Sequence, residues 1–217
     1  MDRALIFGAT GGIGAAVARA LTARGVQVTG LSRADGLDVT NRSAVAAVAA
    51  RITGPFDLIF NATGALTAGG PPEKTIAAVD PDQFAAQFAL NATGVALLLR
   101  HFAPMLAGGG VFASLSARVG SIGDNRLGGW ISYRAAKAAQ NQILRTAAIE
   151  IARKNRGAVV VALHPGTVAT SLTRDYAARH PTITPDQSAQ ALLAVIDQLT
   201  PDDNGTFWDW KGARVPW

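Results

Sequence analysis

Tyr133 and Lys137 stand four residues apart near the start of a helix-forming stretch over residues 130–154, so they share one helical face. A free phenol titrates near pH ~10 and handles protons poorly at neutrality. A neighbouring ammonium favours the phenolate and lowers that value, which makes the pair a candidate for general acid/base chemistry. A second cluster, Gly8-Ala9-Thr10-Gly11-Gly12-Ile13-Gly14, lies between a short apolar run and an amphipathic stretch. Glycines there let the backbone turn sharply, approach a pyrophosphate closely and pack a helix tightly on a sheet. The helix N-terminus behind them offers unpaired N–H groups to phosphates.

The second apolar run ends Thr29-Gly30-Leu31-Ser32-Arg33. An acid at this place binds the ribose 2′-hydroxyl of NAD and repels a 2′-phosphate, whereas an arginine accommodates the phosphate. Ser32 and Arg33 occupy it and no carboxylate follows until Asp35, which predicts NADP over NAD.

These residues need a scaffold, and the hydrophobic pattern supplies one. Strand-like runs fall at 3–7, 26–31, 57–60, 111–115, 158–163 and 206–210, with a very short one possible at 37–39. Between them lie helical patterns at 12–24, 43–52, 81–106, 130–154 and 185–199, with glycines 108–110 closing the third. Residues 170–184 read as a loop with some helix, a cover over the site. The alternation predicts an α/β fold: one domain over residues 1–217, a doubly wound parallel sheet of about seven strands with helices on both faces.

Composition removes several classes. With no cysteine in 217 residues, disulfides, thiolate catalysis and cysteine–zinc sites are excluded. His101, His164 and His180 have no metal-like spacing, and no metal is expected. The net charge of +5 comes from scattered residues without a basic run, so no nucleic-acid partner is expected. No apolar stretch reaches the ~20 residues of a membrane span. The N-terminus enters a strand-like run at once, without a signal-peptide pattern, so a cytoplasmic protein is expected. Trp208, Trp210 and Trp217 read as core or subunit-contact residues.

The spacing G-x-x-x-G-x-G over Gly8–Gly14 resembles the short-chain dehydrogenase/reductase family, and the resemblance runs along nearly the whole chain. Ser132-Tyr133-Arg134-Ala135-Ala136-Lys137 is similar to its Tyr-x-x-x-Lys helix, and Asn61-Ala62-Thr63-Gly64 to its Asn-Ala-Gly segment, with Thr63 where alanine is commoner. Asp38-Val39 resembles the pair that contacts adenine. Pro165-Gly166-Thr167-Val168-Ala169-Thr170 resembles the segment that holds the nicotinamide carboxamide. The resemblance implies a Rossmann fold, Tyr133 as acid/base, Lys137 as its partner on the nicotinamide ribose, and Asn91 as holder of a water linked to the lysine.

It also implies a serine after the strand-like run at 111–115 that polarises the substrate oxygen. In Ser114-Leu115-Ser116-Ala117-Arg118-Val119-Gly120-Ser121, alignment on Gly120 puts Ala117 at that position. A one-residue shift makes it Ser116, the favoured choice; Ser121 is the alternative, and neither is a third possibility. Arg118 to Asn125, Gly128-Gly129-Trp130 and the segment Trp210 to Trp217 resemble the branch of C-factor proteins and sniffer-type carbonyl reductases. That branch implies NADP(H)-dependent interconversion of a small carbonyl and its alcohol or, alternatively, a non-catalytic dinucleotide-binding signalling protein. Pairing through the two long helices, as a homodimer or homotetramer, is implied as well.

Overall fold

A computed structural model of the chain describes residues 1–170 and 182–217. The alternating runs become β1 (Arg3–Phe7), α1 (Gly12–Ala23), β2 (Gln27–Leu31), α2 (Arg42–Ala49), β3 (Phe56–Asn61), α3 (Pro81–Phe88), α4 (Gly94–Phe102), β4 (Leu106–Leu115), α5 (Ile131–Ala152), β5 (Val159–His164), α6 (Pro185–Ile196) and β6 (Thr206–Asp209). Six strands form one sheet in the order β2-β1-β3-β4-β5-β6, and every pairing is parallel.

Because side chains alternate along a strand, each strand feeds two cores. Leu5, Phe7, Ile59, Phe112 and Val160 pack with Val45, Val95, Leu98 and Leu144 of α2, α4 and α5. Ala4, Ile6, Leu58, Phe60, Val161 and Leu163 pack with Val17, Leu21, Leu192 and Leu193 of α1 and α6. Helices therefore cover both faces, as a parallel sheet requires. Each fully buried leucine or phenylalanine contributes about 1.5–3 kcal/mol.

Three expectations change. Residues 37–39 form no strand, so among the described residues the sheet has six strands where about seven were expected. Leu37 and Val39 instead bury their side chains in the α2–α4–α5 core, where apolar character needs no ladder. The helix expected over 81–106 stops at Phe102 and passes through a 3-10 turn, Ala103–Met105, that contains Pro104. Glycines 108–110 lie inside β4 rather than beyond a helix end, because β4 begins at Leu106. The same helical run widens into a π turn, Ala89–Thr93, around Asn91. Of the cover expected over residues 170–184, residues 171–181 lie outside those described.

The sheet order reverses at β1, whose neighbours are β2 and β3. In such sheets ligands bind at the carboxyl ends of the strands beside this switch point. The glycine turn follows β1, Ser32 follows β2, Asn61 ends β3, Ser116 follows β4 and Pro165 follows β5. The topology thus sends these five segments to the carboxyl ends of the strands.

Candidate active site

The turn after β1 is held by backbone. Gly8 has a φ of +78°, and its N–H donates to the Leu31 carbonyl at 2.8 Å. A Cβ on Gly14 would overlap the Gly8 carbonyl and lie 3.2 Å from the Ala62 Cβ. One on Gly12 would lie 2.7 Å from the Thr170 methyl, so the segments after β1, β3 and β5 meet there. Gly11 caps α1 without a side-chain bond, and Thr10, Gly11 and Gly12 are exposed. Ile13 turns inward against the α1–α6 core. An exposed helix N-terminus with no acid in its first turn fits a pyrophosphate.

After β2, Ser32 opens a short capped turn, with Asp35 accepting from its N–H and Oγ, each at 2.8 Å. Those bonds hold the Asp35 carboxyl below its ordinary value. Arg51 donates to the Asp35 carbonyl at 2.8 Å and sets a positive charge beside the acid. Arg33 acts on Asp38, whose carboxyl is lowered first by the Thr40 hydroxyl. Val39 packs against Gly94 at the start of α4. Asn61 Oδ1 accepts from the Thr63 N–H at 3.0 Å and its hydroxyl at 2.7 Å, which shapes the segment before Gly64. The Pro165 carbonyl accepts from Ser188 Oγ at 2.8 Å, Gly166 has a φ of +83° against Trp210, and Val168 bridges to Ile183.

At the chemical end, Tyr133 and Lys137 are both buried, with the lysine Nζ 5.9 Å from the phenol ring centroid. Lys137 Nζ donates to the Leu115 carbonyl at 3.1 Å and to Gln140 Oε1 at 2.8 Å. Burial pulls the ammonium down to about 7 and pushes the phenol above its ordinary value. Desolvation thus acts against the phenolate that the sequence pattern anticipates, and Tyr133 keeps its proton. No described residue hydrogen-bonds the Tyr133 hydroxyl. Asn91 sits across from the pair: a Cβ on Gly64 would lie 2.8 Å from its Oδ1 and 3.4 Å from Lys137 Nζ. Its amide donates to the Ala65 carbonyl at 2.9 Å and to Gln87 Oε1 at 2.6 Å. Asn91 lies inside the π turn that joins α3 to α4, a local widening common at functional sites.

The serines are engaged elsewhere. Ser116 Oγ donates to Asn141 Oδ1 at 2.6 Å, inside the protein. Ser121 Oγ donates to the Pro216 carbonyl at 2.5 Å. His164 Nδ1 accepts from the Arg118 N–H, and burial, ahead of nearby charges, pulls its imidazole down to about 4.

Two groups escape a reading of the sequence. Glu73, 3% exposed in a Gly/Pro-rich loop, accepts from the Ser132 N–H at 3.3 Å. It supplies the cap that Trp130, at φ 53°, does not give α5, and so fixes the turn that carries Tyr133. Nothing local to residue 73 announces this. Gln140 could have been found by asking which residues one turn beyond Lys137 offer an acceptor.

A family model described as Enoyl-(Acyl carrier protein) reductase matches residues 32–204. The chain is 33% identical over 233 residues to a 1-hydroxy-2-glutathionyl-2-methyl-3-butene dehydrogenase of Rhodococcus sp. (strain AD45), covering 100% of both. It is 33% identical over 167 residues to the C-signal protein of Myxococcus xanthus, covering 76% of this chain and 95% of that one. Among solved structures, an NADP-bound short-chain dehydrogenase/reductase of Burkholderia multivorans matches with a TM-score of 0.83 at 25% identity, covering 100% of this chain and 99% of that one.

Proposed function

Because the chain belongs to the short-chain dehydrogenase/reductase family, we propose that it interconverts a small carbonyl compound and its alcohol with NADP(H), Tyr133 donating or accepting the proton. The observation that carries this is the buried Tyr133 phenol, without a hydrogen-bond partner among the described residues and beside the Lys137 ammonium.

NADPH supplies the hydride when bound. Gly8, Thr10, Gly11, Gly12, Ile13 and Gly14 would cradle its pyrophosphate, and Ser32 and Arg33 its 2′-phosphate. Asp38, Val39 and the 61–64 segment would border the adenosine side, and Pro165, Gly166, Val168 and Thr170 the carboxamide. In the reductive direction, Tyr133 gives its proton to the substrate oxygen as that oxygen gains negative charge. Lys137 orients the phenol and the ribose, and its positive charge favours the phenolate left behind. Asn91 supports the path by which Tyr133 regains a proton. With the Ser116 hydroxyl on Asn141, Tyr133 is the donor that polarises the carbonyl.

The engagement of both serines favours one second reading: a dinucleotide-binding signalling protein without turnover. NADPH and NADH oxidation against a panel of aldehydes, ketones and diketones separates the two. Turnover with NADPH that falls by about 10²–10⁴ in Tyr133→Phe supports the reductase. Tight NADPH binding without turnover supports the signalling reading. We also propose a homo-oligomer built on the α4–α5 face, where Leu99, Ile143, Ala147 and Ile151 line a groove. A monomeric mass in solution would contradict it.

A further inference from the structure

Behind Lys137 runs a chain of buried side chains that neither the glycine turn nor the Tyr133 proton step uses. Thr63 donates to Asn61 Oδ1, and Asn61 Nδ2 donates to Ser114 Oγ at 2.9 Å. Gln140 Nε2 donates to the same Ser114 oxygen at 3.1 Å and to the Leu115 carbonyl at 2.9 Å. Gln140 Oε1 then accepts from Lys137 Nζ at 2.8 Å. Asn61, Ser114 and Gln140 are each 0% exposed.

We propose that Gln140 is a positioning residue: its side-chain carbonyl holds the Lys137 ammonium at the site, and its amide anchors that hold through Ser114 and Asn61 to the Thr63 segment on the dinucleotide side. The proposal deepens the Tyr133–Lys137 reading and takes its catalytic meaning from it.

The direction of the amide is forced. The Leu115 carbonyl can only accept, so the nitrogen of Gln140 must face Leu115 and Ser114, and its oxygen faces the Lys137 Nζ. An ammonium in this place is desolvated, and burial alone lowers its pKa. Tyr133 faces it from α5, the Leu115 carbonyl from β4, the Asn91 amide from the π turn and Gly64 from the loop after β3. None of these is a carboxylate. The acceptors on Leu115 and Gln140 are therefore what keep the charged form competitive, since a bond to the charged state favours it. Gln140 is the side chain among them, so it can be removed.

The test follows Lys137 directly. The chain has four lysines, Lys74, Lys137, Lys154 and Lys211, so a protein labelled with ¹³C-lysine gives four resolvable ε-methylene titrations. Lys137→Met assigns the signal. Gln140→Leu should lower the Lys137 midpoint by about one pH unit or more, the size of a deleted hydrogen bond to a charged donor. Gln140→Glu keeps the acceptor and adds a negative charge, so it should raise the midpoint. It also serves if the leucine variant does not fold. A midpoint equal to wild type in these variants overturns the proposal, since a purely structural role would lower the melting temperature and leave the titration in place. In turnover assays the alkaline limb should move the same way as the midpoint. If the midpoint moves but even wild type does not turn over, the reductase reading falls and Gln140 keeps its role. If wild type turns over, Tyr133→Phe does not and the midpoint stays, only Gln140 falls.

Discussion

The turn after β1 and the cluster around Tyr133 and Lys137 both lie by the carboxyl ends of the strands, yet they are built on different principles. At the turn, the geometry rests on backbone: a left-handed Gly8, a Gly14 with no room for a side chain, and an exposed helix start with no side-chain cap. Around Tyr133, the geometry rests on side chains and on contacts from β4, the π turn and a distant loop that caps α5. The first kind of site tolerates no added atom. The second tolerates substitution but shifts its proton equilibria. The glycine turn is therefore a local pattern in the sequence, whereas the serine beside Tyr133 depends on packing and stays open there between Ser116, Ser121 and neither.

The largest effect that sharpens this contrast is expected from Gly14→Val. The added carbons meet the Gly8 carbonyl, and the cost is about 3 kcal/mol of stability together with the loss of NADPH binding. Thermal unfolding and a nicotinamide fluorescence titration measure both; wild-type values would show that the turn is not a constrained cradle. Arg33→Ala should weaken NADPH binding about tenfold, worth ~1.4 kcal/mol, and leave NADH binding unchanged. Equal losses for both would remove Arg33 from the 2′-phosphate.

At the pocket, Lys137→Met should reverse the usual sign of a mutation. Burial lowers the folded-state lysine to about 7, below its ordinary ~10.4, so folding disfavours the charged form. That cost is fully present below pH ~7, shrinks as pH rises toward ~10 and is absent above it. Lys137→Met should thus be the more stable protein by about 1–2 kcal/mol at pH 6, discounting the two Nζ bonds it gives up, with the gain fading toward pH 10. Denaturant midpoints across that range decide; a gain that does not change with pH would show that Lys137 is not desolvated as described. The smallest effect is expected from Ser116→Ala: turnover within about threefold, with about 1 kcal/mol lost where Asn141 is left without its donor. A loss near 10²-fold would instead place the Ser116 hydroxyl on the substrate oxygen.

What the sequence determined by itself was local or periodic. The alternation of apolar periods predicted the parallel sheet and its helices; the glycine spacing marked the tight turn between β1 and α1; Tyr133 and Lys137 share a face because a helix repeats every 3.6 residues. Its errors fell where non-local packing overrides local pattern. Leu37 and Val39 look like a strand but serve the core from a loop, and Gly108 to Gly110 look like a helix stop but extend β4. Only the tertiary structure decided the rest: that Asn91 lies in a π turn and borders Lys137, that Glu73 caps α5, that Gln140 rather than a charged group holds the lysine, and that Ser116 faces Asn141. The reason is physical. The bonds of Glu73 and Ser116 join residues far apart in the chain, the Lys137–Gln140 bond is aimed by burial, and a buried donor takes the acceptor that the backbone has placed beside it.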